Sequence, residues 1–159
     1  MARAKATGLK GLSQGRKDVF MLDYKDIHVK PGWNIREDTQ RLKDHIEWLA
    51  GDISRYGVKM PVTVNYEKGI AYLTDGHCRK GALDLIASRG EEVPLVPCLS
   101  EDRYSNEADR TLSMFNRNSA LPNTPLERSV LCKRFIGFGW SIKDISRRCG
   151  LSIAYVGTL

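Results

Sequence analysis

Tyr72-Leu-Thr-Asp-Gly-His-Cys-Arg-Lys-Gly-Ala82 ends a β-like segment and opens a helix through a glycine followed by basic side chains. Upstream, Val62, Val64 and Tyr66 alternate with polar residues, Glu67-Lys-Gly69 reads as a hairpin turn, and Ile70 to Thr74 forms the return strand. Gly76 permits a tight backbone turn, which leaves the N–H groups around His77 to Arg79 free at the helix start. An anion placed there gains from those groups, from the helix dipole and from the charges of Arg79 and Lys80. The run therefore predicts a phosphate-type loop at a strand-to-helix junction. Taken alone, it is equally compatible with a plain turn followed by a solvated first helical turn.

On the N-terminal side, Leu42, Ile46, Leu49, Ile53 and Tyr56 recur at steps of four and three, which makes one apolar stripe of a helix that Gly57 stops. These positions, with Trp33 and Trp48, are assigned to packing. On the C-terminal side, Ala82, Leu83 and Ile86 bury a second helix that ends at Gly90. Val93-Pro-Leu-Val-Pro-Cys98 follows as a strand whose prolines suggest a sheet edge. Strands and helices alternate through this half, which predicts a small α+β domain with a mixed sheet.

From Ser105 onward the pattern is helical. Ala108, Leu112 and Phe115 share a face, Asn116 to Asn123 is a polar break, and Thr124-Pro-Leu-Glu127 is a capping box with proline at the first helical position. Leu126, Val130, Leu131 and Phe135 line the helix that starts there, and Gly137 to Gly139 interrupt it. Ser141 then caps a short helix with Ile142 and Ile145 inside, Gly150 supplies a tight turn, and Ser152 caps a further helix. Two short helices joined by such a turn form a helix-turn-helix. Lys143, Arg147 and Arg148 are placed for backbone phosphates, and Ser152, Ala154 and Tyr155 begin the recognition helix. Only a few residues of that helix precede Leu159, so an incomplete DNA-binding unit is expected.

Charge agrees with a polyanionic partner. The net charge of +6 is unevenly spread over the 159 residues. Residues 1–17 hold five Lys or Arg and no acid, and residues 124–159 hold six against two, whereas residues 18–123 hold fourteen against seventeen. Basic ends around an acidic middle favour nucleic acid. The hydrophobic share of 42% is that of a soluble protein. No apolar run approaches the roughly 20 residues that span a bilayer, and an apolar signal region is missing from the N-terminus. Cys78, Cys98, Cys132 and Cys149 are scattered without a C-x-x-C pair, which argues against a disulfide framework or zinc module and for a reducing, cytoplasmic setting. Three histidines far apart offer no metal site from protein alone.

The order of these segments resembles the N-terminal domain of the ParB family of DNA-partition proteins. Ile27-His-Val-Lys-Pro-Gly-Trp-Asn-Ile-Arg36 is similar to that family's opening, a short strand running into a proline turn and an arginine. Leu49 to Val64 is similar to its helix, glycine stop and strand. Asp75-Gly-His-Cys-Arg-Lys-Gly-Ala82 falls where the family carries a glycine, a glutamate, two arginines and then an alanine. Gly76, Arg79 and Ala82 agree, whereas His77 replaces the glutamate and Cys78 the first arginine. In many relatives this box holds the triphosphate of CTP, with magnesium as a companion of the nucleotide. Asn116 and Arg117 correspond to a third nucleotide motif, although its adjacent glutamate is missing.

The resemblance implies a basic arm over 1–18, a ParB/sulfiredoxin-like nucleotide-binding domain over 19–104 and a helix-turn-helix segment over 105–159. It also implies a nucleotide site built by Arg36, Gly76, His77, Cys78, Arg79, Lys80, Asn116 and Arg117. Gly-Leu-Lys-Gly-Leu-Ser13 is similar to the arm that meets a partner ATPase in the family, and the full-length relatives are homodimers of bacterial, plasmid or phage origin associated with the nucleoid. Hydrolysis of CTP is left open, because the glutamate linked to it is absent. Two further classes compete. One is a ParB-type nuclease or nucleotide hydrolase using Asp75 and His77 with a divalent metal; the other is a sulfiredoxin-like redox enzyme, whose Gly-Cys-His-Arg turn appears here with two residues exchanged. A thiol beside Arg79 at a helix N-terminus is expected to have a lowered pKa.

Overall fold

The computed structural model describes Leu9, Ser13, Gly15 and residues 17–102, 105–117 and 121–159. The rest of the N-terminal arm, including most of its Gly-Leu motif, and residues 118–120 of the polar break lie outside the described residues. Five strands, β1 (Phe20–Leu22), β2 (Ile27–His28), β3 (Val62–Glu67), β4 (Ile70–Asp75) and β5 (Val96–Ser100), form one mixed sheet in the order β1-β5-β3-β4-β2. The helices are α1 (Gln40–Tyr56), α2 (His77–Ser88), α3 (Glu107–Arg117), α4 (Pro125–Gly137), α5 (Ile142–Cys149) and α6 (Ile153–Thr158). A mixed α+β fold is thus present. Among the described residues no helix is long and apolar enough to cross a membrane.

Local chemistry explains most element boundaries. The β3–β4 hairpin closes through Lys68 and Gly69, both at positive φ, and registers Glu67 opposite Ile70, the two-residue turn whose twist matches antiparallel strands. The Thr39 hydroxyl accepts from the Leu42 N–H to start α1, and Gly57 at φ 76 ends it. At α4 the Thr124 hydroxyl accepts from the Glu127 N–H while the Glu127 carboxylate accepts from the Thr124 N–H. Ser141 and Asp144 repeat that reciprocal cap at α5.

Two apolar cores result. Ile27, Ile53, Val62, Leu73, Leu83 and Ile86 belong to the first, between the sheet and helices α1 and α2. Leu131, Phe135, Ile145 and Val156 belong to the second, among the C-terminal helices. Trp33 joins the second core although it precedes α1. The chain between β2 and α1 is held there at both ends of α4. Arg134 donates to the Trp33 carbonyl at 3.0 Å and to that of Gly32, while Glu127 accepts from the Glu37 N–H at 3.0 Å and from Arg36 at 3.1 Å.

Several packing expectations are corrected. β5 lies inside the sheet, flanked by β1 and β3, with Pro97 opposite Met21. Proline removes one donor, and the three-residue partner strand leaves few rungs to lose. Tyr56, Leu126 and Ile142 are exposed. Each lies in the first or last turn of its helix, where the neighbouring layer no longer covers it. In α4 the buried positions are Glu127, Leu131, Cys132 and Phe135.

Candidate functional site

A cleft of about 350 Å³ opens at the N-terminus of α2, lined also by residues of α1, by Met114 and Arg117 of α3 and by Leu121. Gly76 takes φ 109, ψ 28 and no side chain caps α2 among the described residues, so the first N–H groups of the helix, on residues that line the cleft, are left without a side-chain partner. A Cβ at Gly76 would lie 2.6 Å from Val62 Cγ1, which makes this a position for glycine on both backbone and steric grounds. Arg36, Lys59, Arg79 and Arg117 contribute four cations to the lining, against the carboxylates of Asp52 and Asp75 and that of Glu127 paired with Arg36 behind it. The imbalance favours an anion.

The predicted site residues divide. Arg36, Gly76, His77, Cys78, Arg79 and Arg117 line the cleft. Lys80 does not: its ammonium bonds Asp84 at 2.7 Å one turn on and lies 5.1 Å from the centroid of the Tyr24 ring. Asn116 is exposed and also falls outside the lining. Met114 and Arg117, three residues apart on α3, face the cleft together, which turns the intervening Asn116 away. Arg79 is committed to the fold as well. Its Nη1 donates to the Met60 and Pro61 carbonyls, each at 2.7 Å, and its Nη2 lies 3.5 Å from Asp75. Arg117 reaches Thr63 at 3.3 Å and stands 4.0 Å from Asp75, so Asp75 gathers two guanidinium groups.

Burial decides the titration behaviour here. His77 is pushed down to about 4, first by burial and then by the Arg36 charge, so the imidazole is neutral at pH 7. Its Nε2 is buried and without a hydrogen-bond partner among the described residues, which leaves one polar atom unmatched beside the cleft. The Cys78 thiol is raised, because desolvation outweighs Arg36 and Arg79. That corrects the expected low thiol pKa. A suppressed thiolate is a poor nucleophile.

The reading of Trp48 as a packing residue is corrected too. Trp33 is buried, but Trp48 is 65% exposed and lines the cleft from α1 with His45 and Asp52. The spacing of those three residues was visible in the sequence; which surface they face was not.

Helices α5 and α6 do form two short helices around Gly150 at φ 67, with the Ser152 hydroxyl accepting from the Tyr155 N–H. Ile145, Val156 and Phe135 close the interior, and the Trp140 ring stacks on Phe135 at 4.7 Å. Lys143, Arg147, Arg148, Ser152 and Ala154 are exposed. Arg147 pairs with Asp144 at 3.2 Å, and the Arg148 guanidinium lies 4.3 Å from the Trp140 ring centroid. Tyr155 turns inward, its hydroxyl accepting from Arg128 at 3.2 Å. Arg128, unremarked in the sequence, thereby adds a cation beside α6.

The architecture is that of the N-terminal region of ParB proteins. Among solved structures, the chain is similar to the C-terminally truncated chromosome-partitioning protein ParB from Caulobacter crescentus complexed with CTP-gamma-S, at TM-score 0.51 and 17% identity, covering 87% of this chain and 74% of that one. The same Caulobacter protein complexed to the centromeric parS site gives TM-score 0.57 and 17% identity over 87% of this chain and 68% of that one. A Pnob8-like ParB-N domain gives 0.55 and 9% identity, over 84% of this chain and 60% of that one. No family model matches the sequence, and no curated protein matches it either.

Proposed function

We propose that this chain is a ParB-like protein that binds a nucleoside triphosphate, CTP first, in the α2 cleft and couples it to DNA engagement by α5 and α6, in DNA partition or transcription regulation. The observation that carries the reading is the start of α2: a glycine with no room for a side chain, uncapped N–H groups and a four-cation cleft, in a fold shared with a ParB that was solved with a CTP analogue. Helix N-termini of this kind suit phosphate. Gly76 to Arg79 supply backbone donors, Arg36, Arg79 and Arg117 supply charge, and magnesium accompanies the nucleotide. Because Met114 and Arg117 help line the cleft, the nucleotide domain assigned to 19–104 borrows a wall from the helical segment 105–159.

Lys143, Arg147 and Arg148 are assigned to DNA phosphates, Ser152 and Ala154 to base edges, and Tyr155 to orienting α6 through Arg128. The arm over 1–18 is assigned to a partner ATPase, and the full-length protein to a homodimer. Calorimetric titration of the four ribonucleoside triphosphates with magnesium, alongside anisotropy with duplex DNA at two salt concentrations, tests both halves. The expected outcome is triphosphate binding that weakens in Arg117→Ala, together with DNA binding that falls steeply with salt. Failure of every triphosphate to bind would overturn the nucleotide reading, and failure to bind any DNA at low salt would overturn the other.

A further inference from the structure

On α1, His45, Trp48 and Asp52 follow at steps of three and four and together line the same cleft as the α2 N-terminus. Trp48 is the exposed member of the chain's three tryptophans: Trp33 is buried with its Nε1 donating to the Thr74 carbonyl at 3.4 Å, and Trp140 is stacked on Phe135. The His45 ring lies near-parallel to the Trp48 indole, with 6.2 Å between ring centroids and 18° between planes. An indole that is 65% exposed and lines the cleft offers it a flat apolar surface. Its place in the same cleft as the phosphate-type donors matters, because a bare polyphosphate makes no use of an aromatic face, whereas a base does. The cleft volume of about 350 Å³ falls within the ~300–1,000 Å³ usual for small-molecule sites.

We infer that Trp48 is the platform on which the base of the bound nucleotide stacks; this rests on the nucleotide reading of the cleft. Aromatic stacking is tolerant of base identity because every base has a π-face, so Trp48 supplies affinity for a nucleotide over a bare polyphosphate. The test uses the full chain, its Trp48→Ala and Trp48→Phe variants, and two probes, CTP and inorganic tripolyphosphate, with unfolding curves confirming that each variant is folded. CTP affinity is expected to fall roughly 5- to 150-fold in Trp48→Ala and to recover in large part in Trp48→Phe, while tripolyphosphate affinity stays level. Tryptophan fluorescence quenching by CTP is expected in the wild type and lost in Trp48→Phe. Equal losses for both probes, or unchanged CTP affinity in Trp48→Ala, would overturn the platform while leaving the nucleotide reading intact. A wild-type chain that binds neither probe would overturn both.

Discussion

Alanine at Gly76 provides the sharpest test of how the cleft is built, because two independent costs meet at one methyl group. The backbone there has φ 109, a conformation whose imposition on an L residue costs about 1–3 kcal/mol. The added Cβ would stand 2.6 Å from Val62 Cγ1 and 3.0 Å from Val62 Cβ. Val62 is itself 1% exposed and cannot swing aside, so overpacking adds about 1–3 kcal/mol. The expected total, about 2–6 kcal/mol, is a large part of the ~5–15 kcal/mol that holds a domain folded. At ~2–4 °C per kcal/mol for this chain length, the melting midpoint drops by about 4–24 °C. Gly51→Ala is the matched control: it lies within α1, where a Cβ meets nothing within 4 Å, and the same chemical change is expected to stabilise by about 0.5–1 kcal/mol. Thermal and urea unfolding followed by circular dichroism reads both variants. Should Gly76→Ala melt within about 2 °C of the wild type, the tight glycine cradle described here is wrong.

Glu127→Ala leaves the buried Arg36 guanidinium without its carboxylate, since their side chains are 3% and 8% exposed and 3.1 Å apart; a loss of about 3–5 kcal/mol is expected in urea titrations. Ser141→Ala removes an exposed cap from α5 and is expected to cost only about 1 kcal/mol in the same assay. His77 is neutral when folded with its pKa lowered to about 4 from 6.5, so the unfolded chain binds the extra proton between those values. Stability is therefore expected to be steady above pH 6.5 and to decline by about 2–4 kcal/mol as the pH falls toward 4, with that slope reduced in His77→Gln. Arg147→Ala is expected to weaken binding to all DNA sequences alike and to lower the salt slope by about 1 in anisotropy titrations; unchanged affinity would remove this face of α5 from the DNA contacts.

What could be read in the sequence was local. Lys68-Gly69, Thr124-Pro125 and Gly150 each fix a turn or cap within four residues, and the structure has the hairpin, the start of α4 and the end of α5 where those residues stand. Long-range properties were not legible. The prolines of β5 hinted at an edge, but strand order depends on partners 36 and 74–78 residues away in sequence. Arg79 and the helix dipole are visible beside Cys78 in one line of text, whereas the desolvation that overrides them comes from the tertiary surroundings. Trp48 is adjacent to the apolar stripe of α1, and periodicity alone does not say whether a flank faces protein or an open cleft.

Glu127 shows why the site is coupled to the fold. As the third residue of a capping box it needs only local contacts, yet its carboxylate also takes the Arg36 guanidinium and the Glu37 N–H. Glu37 in turn accepts from the Thr124 hydroxyl at 2.5 Å, and Arg36 donates to the Leu121 carbonyl at 2.6 Å. The start of α4 is therefore stitched to the segment that carries Arg36. That same arginine lines the cleft and lowers the proton affinity of His77 across it. A charge that must be buried to hold α4 is also a charge that shapes the anion site, so the two cores cannot shift against each other without changing the electrostatics of the cleft.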